Sequence, residues 1–226
     1  TILLGVKAVI AGRSGAGELQ IMGFGQAACS GMSQGLPVNM DETVDAIGKA
    51  VEAAENAAAV EVDGVYLGIS GANIGSENRR GNRVVIRNPQ DPESSLIQQF
   101  HVNQVLEQAT RADSLAIDRQ IVHTLPRDFT VDGVSGVRKP VGINGLQLEC
   151  IVNQVCAPAS VVVNLKRCVN HASLRVEGLY LGSRAAAEVL LNQDEKDLGV
   201  LLIDMGAGSM DLIAYREGHI QHAWTL

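Results

Sequence analysis

The sequence predicts an α/β protein with three layers, in which a smaller α+β unit is inserted into the main domain. Two observations lead to this prediction. The predicted elements follow the order β-β-α-β up to residue 70 and α-β-α-β from residue 158, and the stretch between them differs in composition. Near the C-terminus, an apolar strand ends in Asp204 and turns back through small residues into a second strand.

The first predicted elements are a β-hairpin, a helix and a short strand. Residues 3–11 and 19–26 are predicted to pair through the glycine-rich turn at residues 12–17. No Gly-Lys-Ser/Thr and no helix follow that turn, which favours a hairpin turn over a P-loop. Residues 41–59 have helical periodicity with Asp41 as the predicted N-cap, and residues 65–70 are a predicted strand. The apolar face of this helix is formed by Val44, Ile47, Val51, Ala54 and Ala58.

The middle of the chain predicts the small α+β unit. Residues 71–93 are polar, with one predicted strand near residues 83–86. A helix capped by Ser94 or Ser95 follows, then a strand at residues 119–133 with a proline bend and another at residues 147–155. The helix carries Ile97, Phe100, Val105 and Ala109. We interpret Arg79, Arg80 and Arg83, the only basic group, as the surface of a loop.

The last part of the chain returns to the main domain. A helix is predicted to open at Pro158, a strand at residues 176–181, and an Ala-rich helix capped by Ser183. The hairpin at residues 200–215 follows, then a third strand at residues 219–225. We interpret the acidic residues before the hairpin as a solvated turn: Asp194, Glu195 and Asp197.

Composition and charge exclude several classes of function. The formal net charge is −7, which argues against a nucleic-acid partner, because phosphate backbones are bound by clustered Lys and Arg. The hydrophobic fraction is 46% with 3% aromatic residues, so the predicted core is mostly aliphatic. No apolar run is long enough for a membrane span, and no signal peptide is visible. Four cysteines without CxxC spacing predict reduced structural thiols: Cys29, Cys150, Cys156 and Cys168.

The hairpin at residues 200–215 is the strongest candidate for a functional site. Its turn contains Gly206, Ala207, Gly208 and Ser209, whose small side chains leave backbone N–H groups accessible to a phosphate. Asp204 is placed to hold a hydrated Mg²⁺ beside that phosphate. Actin-like ATPases bind the phosphates of ATP with such a hairpin, whereas a tight glycine-rich turn in another β-rich protein is the alternative. The residues indicate no catalytic group, and His123 is interpreted as a packing or surface residue.

Several segments outside the hairpin resemble the FtsA family of bacterial cell-division proteins, which are actin homologues. The resemblance covers nearly all 226 residues. The two most specific segments, HTLPRDF and KPVGING, lie in the predicted inserted unit. The segments are IMGFG at 21–25 with SGM at 30–32, VYLGISG at 65–71, the stretch 198–215, HTLPRDF at 123–129 and KPVGING at 139–145.

The resemblance implies an actin-like (ribonuclease H-like) fold divided into subdomains. Residues 1–69 and 157–204 would form subdomain IA, residues 70–156 the inserted subdomain 1C, and residues 205–226 the start of subdomain IIA. It implies that Asp204 holds Mg²⁺ through water and that Gly206, Ala207, Gly208 and Ser209 cradle the phosphates of ATP. Asp211 would fix the turn.

The resemblance also implies partners and a location. The protein would tether FtsZ filaments to the inner face of the cytoplasmic membrane at the septum. It would assemble with itself through residues 70–156, which would also contact later division proteins. Membrane contact would come from a C-terminal amphipathic helix that these residues do not include. At most a weak ATPase activity is expected.

Two departures from the family pattern and two alternatives stay open. The family usually has Gly at Ala207 and Thr at Ser209, and its first phosphate motif has no clean counterpart, although Gly5, Val6 and Lys7 could be its remnant. The chain lacks an initiator Met and stops in a predicted strand, so we expect a piece of a longer protein. The alternatives are a PilM-like pilus-assembly scaffold and a sugar-kinase-type phosphotransferase.

Overall fold

The computed structural model describes residues 5–15, 17–71, 73–85, 95–111, 118–206 and 208–226. The described chain contains one large sheet of seven strands, a two-stranded antiparallel sheet, a two-stranded parallel sheet and a short hairpin. Helices pack on these sheets, so the predicted α/β class is confirmed. The helices are α1 (Met40–Ala58), α2 (Gln99–Thr110), α3 (Ala159–His171), α4 (Gly182–Leu190) and α5 (Gln193–Leu198).

The N-terminal hairpin pairs β1 (Gly5–Arg13) with β2 (Leu19–Ala28), as predicted. Its turn is closed by the Gly17 N–H, which donates to the Ser14 carbonyl at 2.8 Å, so it is a hairpin turn and not a P-loop. Helix α1 lies directly on β2, because a Cβ at Gly23 or Gly25 would clash with the α1 backbone. Glycines are therefore required there for the close approach of helix and strand.

Helix α1 begins one residue earlier than predicted. Its N-cap is Asn39, whose side chain accepts a hydrogen bond from the Glu42 N–H, and Asp41 lies in the first turn. The prediction that Asp41 caps the helix is wrong, because Asn39 already has the extended backbone conformation of a cap. After β3 (Met32–Ser33) and β4 (Leu36–Pro37), the chain enters α1.

The parallel sheet joins β5 (Gly64–Ile69) to β10 (Arg175–Leu181). Helix α3 begins after Pro158 as predicted, and α4 begins at the end of β10. Ser183 lies inside α4 and its predicted role as cap is wrong, since Leu181 occupies the cap position. The predicted acidic turn is instead the short helix α5, capped by Asn192.

The seven-stranded sheet has the order β11-β12-β13-β6-β9-β7-β8. Its inner strands are β6 (Gly75–Val84), β9 (Gln147–Pro158) and β7 (Arg119–Val131), with β8 (Val134–Val137) at one edge. The other strands are β11 (Val200–Met205), β12 (Met210–Arg216) and β13 (His219–Thr225). The strand predicted near residues 83–86 is thus a long strand that starts at Gly75, and the three arginines lie on it and not in a loop.

Helix α2 covers one face of this sheet and closes a core with β6, β7 and β9. Leu148, Val152 and Val105 are fully buried in it. A Cβ at Gly81 of β6 would clash with the Val105 carbonyl, so α2 approaches β6 closely. The helix is capped by Gln98, and the Gln98 N–H donates to Nδ1 of His101 at 3.1 Å. The prediction of Ser95 as the cap is wrong, and Ser94 lies outside the described residues.

The strands of the middle of the chain contact the C-terminal strands where β6 pairs with β13. Trp224 of β13 pairs with Gly75 of β6, and the Ala223 N–H donates to the Ser76 hydroxyl at 2.8 Å. Arg119 of β7 donates to the carbonyls of Asn73, at 2.7 Å, and Cys156, at 3.1 Å. These bonds tie together the two ends of the middle part of the chain.

Among the described helices, none is long and apolar enough to cross a lipid bilayer. The four cysteines are free and buried, as predicted. Burial raises the pKa of the Cys150, Cys156 and Cys168 thiols, so these thiols are poor nucleophiles near neutral pH.

Candidate functional site

The candidate site is the turn of the hairpin formed by β11 and β12. The two strands are in regular antiparallel register, and Asp204 lies directly opposite Asp211. The Gly206 N–H donates to the Ser209 carbonyl at 2.9 Å and closes the turn. A Cβ at Gly206 would lie 3.2 Å from that carbonyl, which makes the turn tight. We call residues 206–209 the glycine loop; Ala207 lies outside the described residues.

The glycine loop has backbone donors that are free to bind a ligand. Neither the Gly208 nor the Ser209 N–H has a hydrogen-bond partner among the described residues, and Gly208 is exposed. Successive free N–H groups in a turn form an anion-binding concavity. This arrangement fits a phosphate group.

The two acidic residues at the base of the loop have different environments. Asp204 is exposed, and its carboxylate has no partner within the described part of the chain. Asp211 is buried and its carboxylate accepts a hydrogen bond from the Thr225 hydroxyl of β13. Asp204 is therefore available to a ligand, whereas Asp211 holds two strands together.

A single available carboxylate suits a hydrated magnesium ion. Mg²⁺ keeps several waters and binds through one or two carboxylates together with ligand phosphates. Within the described residues, no group of three or more His, Cys, Asp or Glu could hold a metal by itself. The donor set at the loop thus fits Mg²⁺ carried by a phosphate better than an all-protein metal site.

The turn between β3 and β4 lies beside the glycine loop, and the ends of β5 and β10 lie behind this turn. The turn between β3 and β4 contains Gln34, which lies beside Gly208. The same turn packs against Ser70 and Gly71, at the carboxyl end of β5, and Ser70 lies beside Gly182, at the carboxyl end of β10. Ligands of open α/β sheets bind at the carboxyl ends of the strands, so the surroundings agree with a ligand site at the loop.

Sequence reasoning missed the contribution of Gln34 and Gly71. Both lie far from the hairpin in the chain, and nothing local marks Gln34 as a neighbour of Gly208 or Gly71 as a neighbour of Gln34. The available signals were the turn dipeptide Gln34-Gly35 and the position of Gly71 directly after an apolar strand. Each signal predicts a turn, but neither predicts which turn faces the hairpin.

The structure gives other candidate residues structural roles. Gly5, Val6 and Lys7 lie in strand β1 and pair with β2, and residues 1–4 lie outside the described part of the chain, so the suggestion of a motif remnant stays a prediction. Nε2 of His123 accepts a hydrogen bond from the Leu181 N–H at 3.0 Å. Burial, with a smaller effect of Arg184, lowers the pKa of His123 to about 4. This histidine is a neutral packing residue, as the sequence indicated.

The middle of the chain matches a protein-family model. The model is described as the SHS2 domain inserted in FTSA, and it matches residues 71–156. We call residues 71–156 the SHS2 unit. It contains β6, α2, β7 and β8 and most of β9.

Curated proteins similar to this chain are cell-division proteins named FtsA. The chain is 34% identical to that of Pseudomonas aeruginosa over 210 residues, 36% identical to that of Enterococcus hirae over 191 residues and 27% identical to that of Escherichia coli K12 over 206 residues. These alignments cover 91%, 84% and 91% of the chain and 48%, 42% and 47% of the relatives. The chain thus spans about half the length of the curated relatives it matches.

A solved structure has a similar fold. It is a chain of a PilM-PilN type IV pilus biogenesis complex, with a TM-score of 0.62 and 16% sequence identity. The match covers 99% of this chain and 58% of the other. At this identity the similarity concerns the fold alone. Together with the family model, it shows an actin-like fold with an inserted SHS2 domain.

Proposed function

This chain belongs to the FtsA family of bacterial cell-division proteins, and we propose that it is part of an ATP-binding division adaptor that assembles with itself. The observation that carries the proposal is the glycine loop, where the Gly208 and Ser209 N–H groups and the Asp204 carboxylate have no partner among the described residues. ATP would set subunit conformation and assembly and would not modify a substrate.

The residues of the loop have distinct roles in this proposal. The Gly208 and Ser209 N–H groups would hold phosphate oxygens, together with Gly206 and Ala207 as parts of the cradle. Asp204 would hold Mg²⁺ through a bound water. The ion would supply charge neutralisation for the phosphates, and the chain's own task is to orient them. Asp211 stays outside the ligand site, since its carboxylate is bonded to Thr225.

The test of ATP binding is the substitution Asp204→Ala in the protein expressed from its complete gene. We expect Mg²⁺-dependent affinity for a fluorescent ATP analogue to fall at least about tenfold, because one charge-assisted contact to the hydrated ion is lost. Asp194→Ala, which removes an exposed carboxylate from α5, is the matched control and should leave the affinity unchanged. Unchanged affinity in Asp204→Ala would mean that the loop does not bind the nucleotide.

We propose that self-assembly uses the SHS2 unit. Support comes from its edge strand β8, where Val134 is 66% exposed, and from the nearby exposed apolar residues Val141 and Ile143. An apolar edge strand of this kind is a natural surface for pairing with another chain.

Point substitutions test the assembly surface better than deletion of the unit, because Ile74 and Val155 share a core with Ile213 and Tyr215 of β12. We expect the Val134→Glu protein to form no sedimentable polymer in the presence of ATP, unlike wild type. Its nucleotide affinity should be that of wild type. Val189→Glu, at an exposed position on α4, is the control. Equal pelleting of both variants would contradict an assembly role for the β8 edge.

We also propose that the protein links FtsZ filaments to the cytoplasmic face of the membrane at the division septum, with later division proteins as further partners. The support is family membership alone. Co-sedimentation with FtsZ polymers, in the presence and absence of lipid vesicles, tests both links. No binding of FtsZ under conditions in which the protein binds ATP would exclude the tethering role.

The alternative of a pilus-assembly scaffold is favoured by the fold similarity to the PilM-PilN complex. That similarity has 16% sequence identity, whereas the FtsA relatives reach 36%. The sequence relationship therefore favours the division adaptor. Rescue of an FtsA-depleted strain by the complete gene would decide between the two functions, and failure of rescue with normal expression would favour the scaffold.

A further inference from the structure

The turn between β3 and β4 lies directly beside the glycine loop. A Cβ placed on Gly208 would lie 3.8 Å from the Gln34 nitrogen and 3.9 Å from its Cα and Cγ. These are ordinary contact distances, so the backbone and the side chain of Gln34 both adjoin the loop. Gln34 is nevertheless exposed to solvent, so a ligand at the loop could reach it.

This turn is held in place by contact between two backbones. Gln34 has a φ of 49° and Gly35 a φ of 79°, and Gly71 has a φ of 122°. A Cβ on Gly35 would clash with the Ser70 carbonyl, and a Cβ on Gly71 would clash with the Gln34 carbonyl. Since these clashes involve backbone atoms, a side chain at either glycine would move the turn. The end of β5 therefore fixes where Gln34 lies relative to Gly208.

The chemistry of Gln34 suits a phosphate neighbour. Its amide is neutral and offers two N–H donors, and its Cγ lies beside Gly208 of the loop. Among the described residues, Gln34 makes no side-chain hydrogen bond that would occupy this amide. The strained backbone of a non-glycine residue at this place is also typical of functional sites.

We infer that Gln34 is a residue of the nucleotide site, which positions the glycine loop through Gly208 and offers its amide to the bound phosphates. The inference rests on the proposed function. A turn that only packs against the loop would be insensitive to the charge of residue 34. A turn that adjoins the phosphates is sensitive to it.

The charge of residue 34 is therefore the test. In the protein expressed from its complete gene, Gln34→Glu should weaken the binding of a fluorescent ATP analogue by about tenfold, through repulsion between carboxylate and phosphates. Adenosine, measured by competition, should bind as it does to wild type. The loss should shrink at high salt, because ions screen an exposed charge. Gln34→Asn keeps the amide and is expected to stay within about twofold of wild type.

The matched control is Gln20→Glu, which makes the same charge change on β2 in the register opposite Gly12. Equal ATP affinity of Gln34→Glu and wild type would overturn the inference. An equal loss for ATP and adenosine would also overturn it, since that pattern indicates a distorted turn. If wild type itself does not bind ATP, the proposed function fails and this inference fails with it.

A second variant tests the positioning of the turn without changing charge. Gly71→Ala should push the Gln34 carbonyl away and weaken ATP binding, although Gly71 itself does not adjoin Gly208. Gly68→Ala is the control, because a Cβ at Gly68 meets nothing within 4 Å. Thermal unfolding of both variants shows whether the fold is retained. Wild-type affinity in a folded Gly71→Ala protein would exclude the positioning role.

Discussion

The SHS2 unit and the strands outside it place their apolar residues differently. In the SHS2 unit, α2 covers β6, β7 and β9, and Leu148 is completely buried. On β5 and β11, by contrast, Tyr66 is 78% exposed and Leu201 is 48% exposed. A covering helix, and not the apolar character of the strand, thus decides which residues are buried and stabilise the fold.

The open sheets also leave strand edges next to a groove. Within the described residues, β1 pairs only with β2, and β5 pairs only with β10. A groove of about 620 Å³ separates β1 from β5, with α1 and α3 as its floor. Among the described residues, the SHS2 unit is therefore the better closed of the two regions, and substitutions in this chain should show this in their effects on stability.

The largest expected effect is at Leu148. Leu148→Ala should lower the free energy of unfolding by about 3–5 kcal/mol, since it leaves a cavity in a closed core. Leu201→Ala, on the half-exposed strand β11, should cost less than about 1 kcal/mol. Urea unfolding of both variants measures the difference. Similar costs would mean that the two regions are equally well packed in solution.

The second-largest effect on stability is expected from substitutions at two glycines in strands, Gly81 and Gly68. Gly81→Ala should cost about 2–3 kcal/mol, because the new Cβ would clash with the Val105 carbonyl of α2. Gly68→Ala, on β5, should be neutral or stabilise by up to about 1 kcal/mol, because its Cβ meets no atom and the unfolded chain loses entropy. Thermal unfolding of the two variants tests this. A stabilising Gly81→Ala would contradict the close approach of helix and strand.

The elements that could be predicted from the sequence are those set by local patterns. Alternation and glycine-containing turns predicted the hairpins of β1 with β2 and of β11 with β12. Strand β6 was largely missed, because its sequence GSENRRGNRV is polar and only Gly81 marks the face that contacts α2.

The long-range features could not be predicted, because local sequence does not specify which edges meet. The pairing of Trp224 with Gly75 joins the C-terminal strands to β6, and no pattern near either residue indicates it. The same holds for Gln34 beside Gly208. The N-cap of α1 was predicted wrongly for a different reason. Asn39 and Asp41 are both good capping residues, and only the backbone conformation distinguishes them.

Arg119 holds the two ends of the SHS2 unit together and gives a smaller expected effect. Arg119→Met should cost about 2 kcal/mol, because it leaves the Asn73 and Cys156 carbonyls without their charged donor. Arg175→Met is the control: its ion pairs with Glu177 and Asp63 are exposed to solvent and should contribute little to stability. Urea unfolding compares the two. An equal cost would show that Arg119 does not clamp the ends of the SHS2 unit.

The smallest expected effect is the pH dependence of the contact between β7 and β10. The pKa of His123 is lowered to about 4 by burial and by Arg184, whereas in the unfolded chain it is near its ordinary value of 6.5. Between these values the unfolded state binds more protons, so stability should fall as the pH is lowered from 6.5 to about 4 and change no further through this group below that. We expect a loss of about 1–2 kcal/mol, since the ring is only partly buried.

The substitution His123→Gln separates this effect from other acid sensitivity. Glutamine can still accept the hydrogen bond from the Leu181 N–H but does not titrate, so unfolding by urea at pH 7 and pH 5 should differ less than in wild type. Burial and Arg83 also lower the pKa of His101, which lies inside the SHS2 unit, and His101→Gln should therefore remove only a small part of the pH dependence. If His123→Gln keeps the full acid sensitivity of wild type, the contact between the two regions does not depend on a neutral histidine.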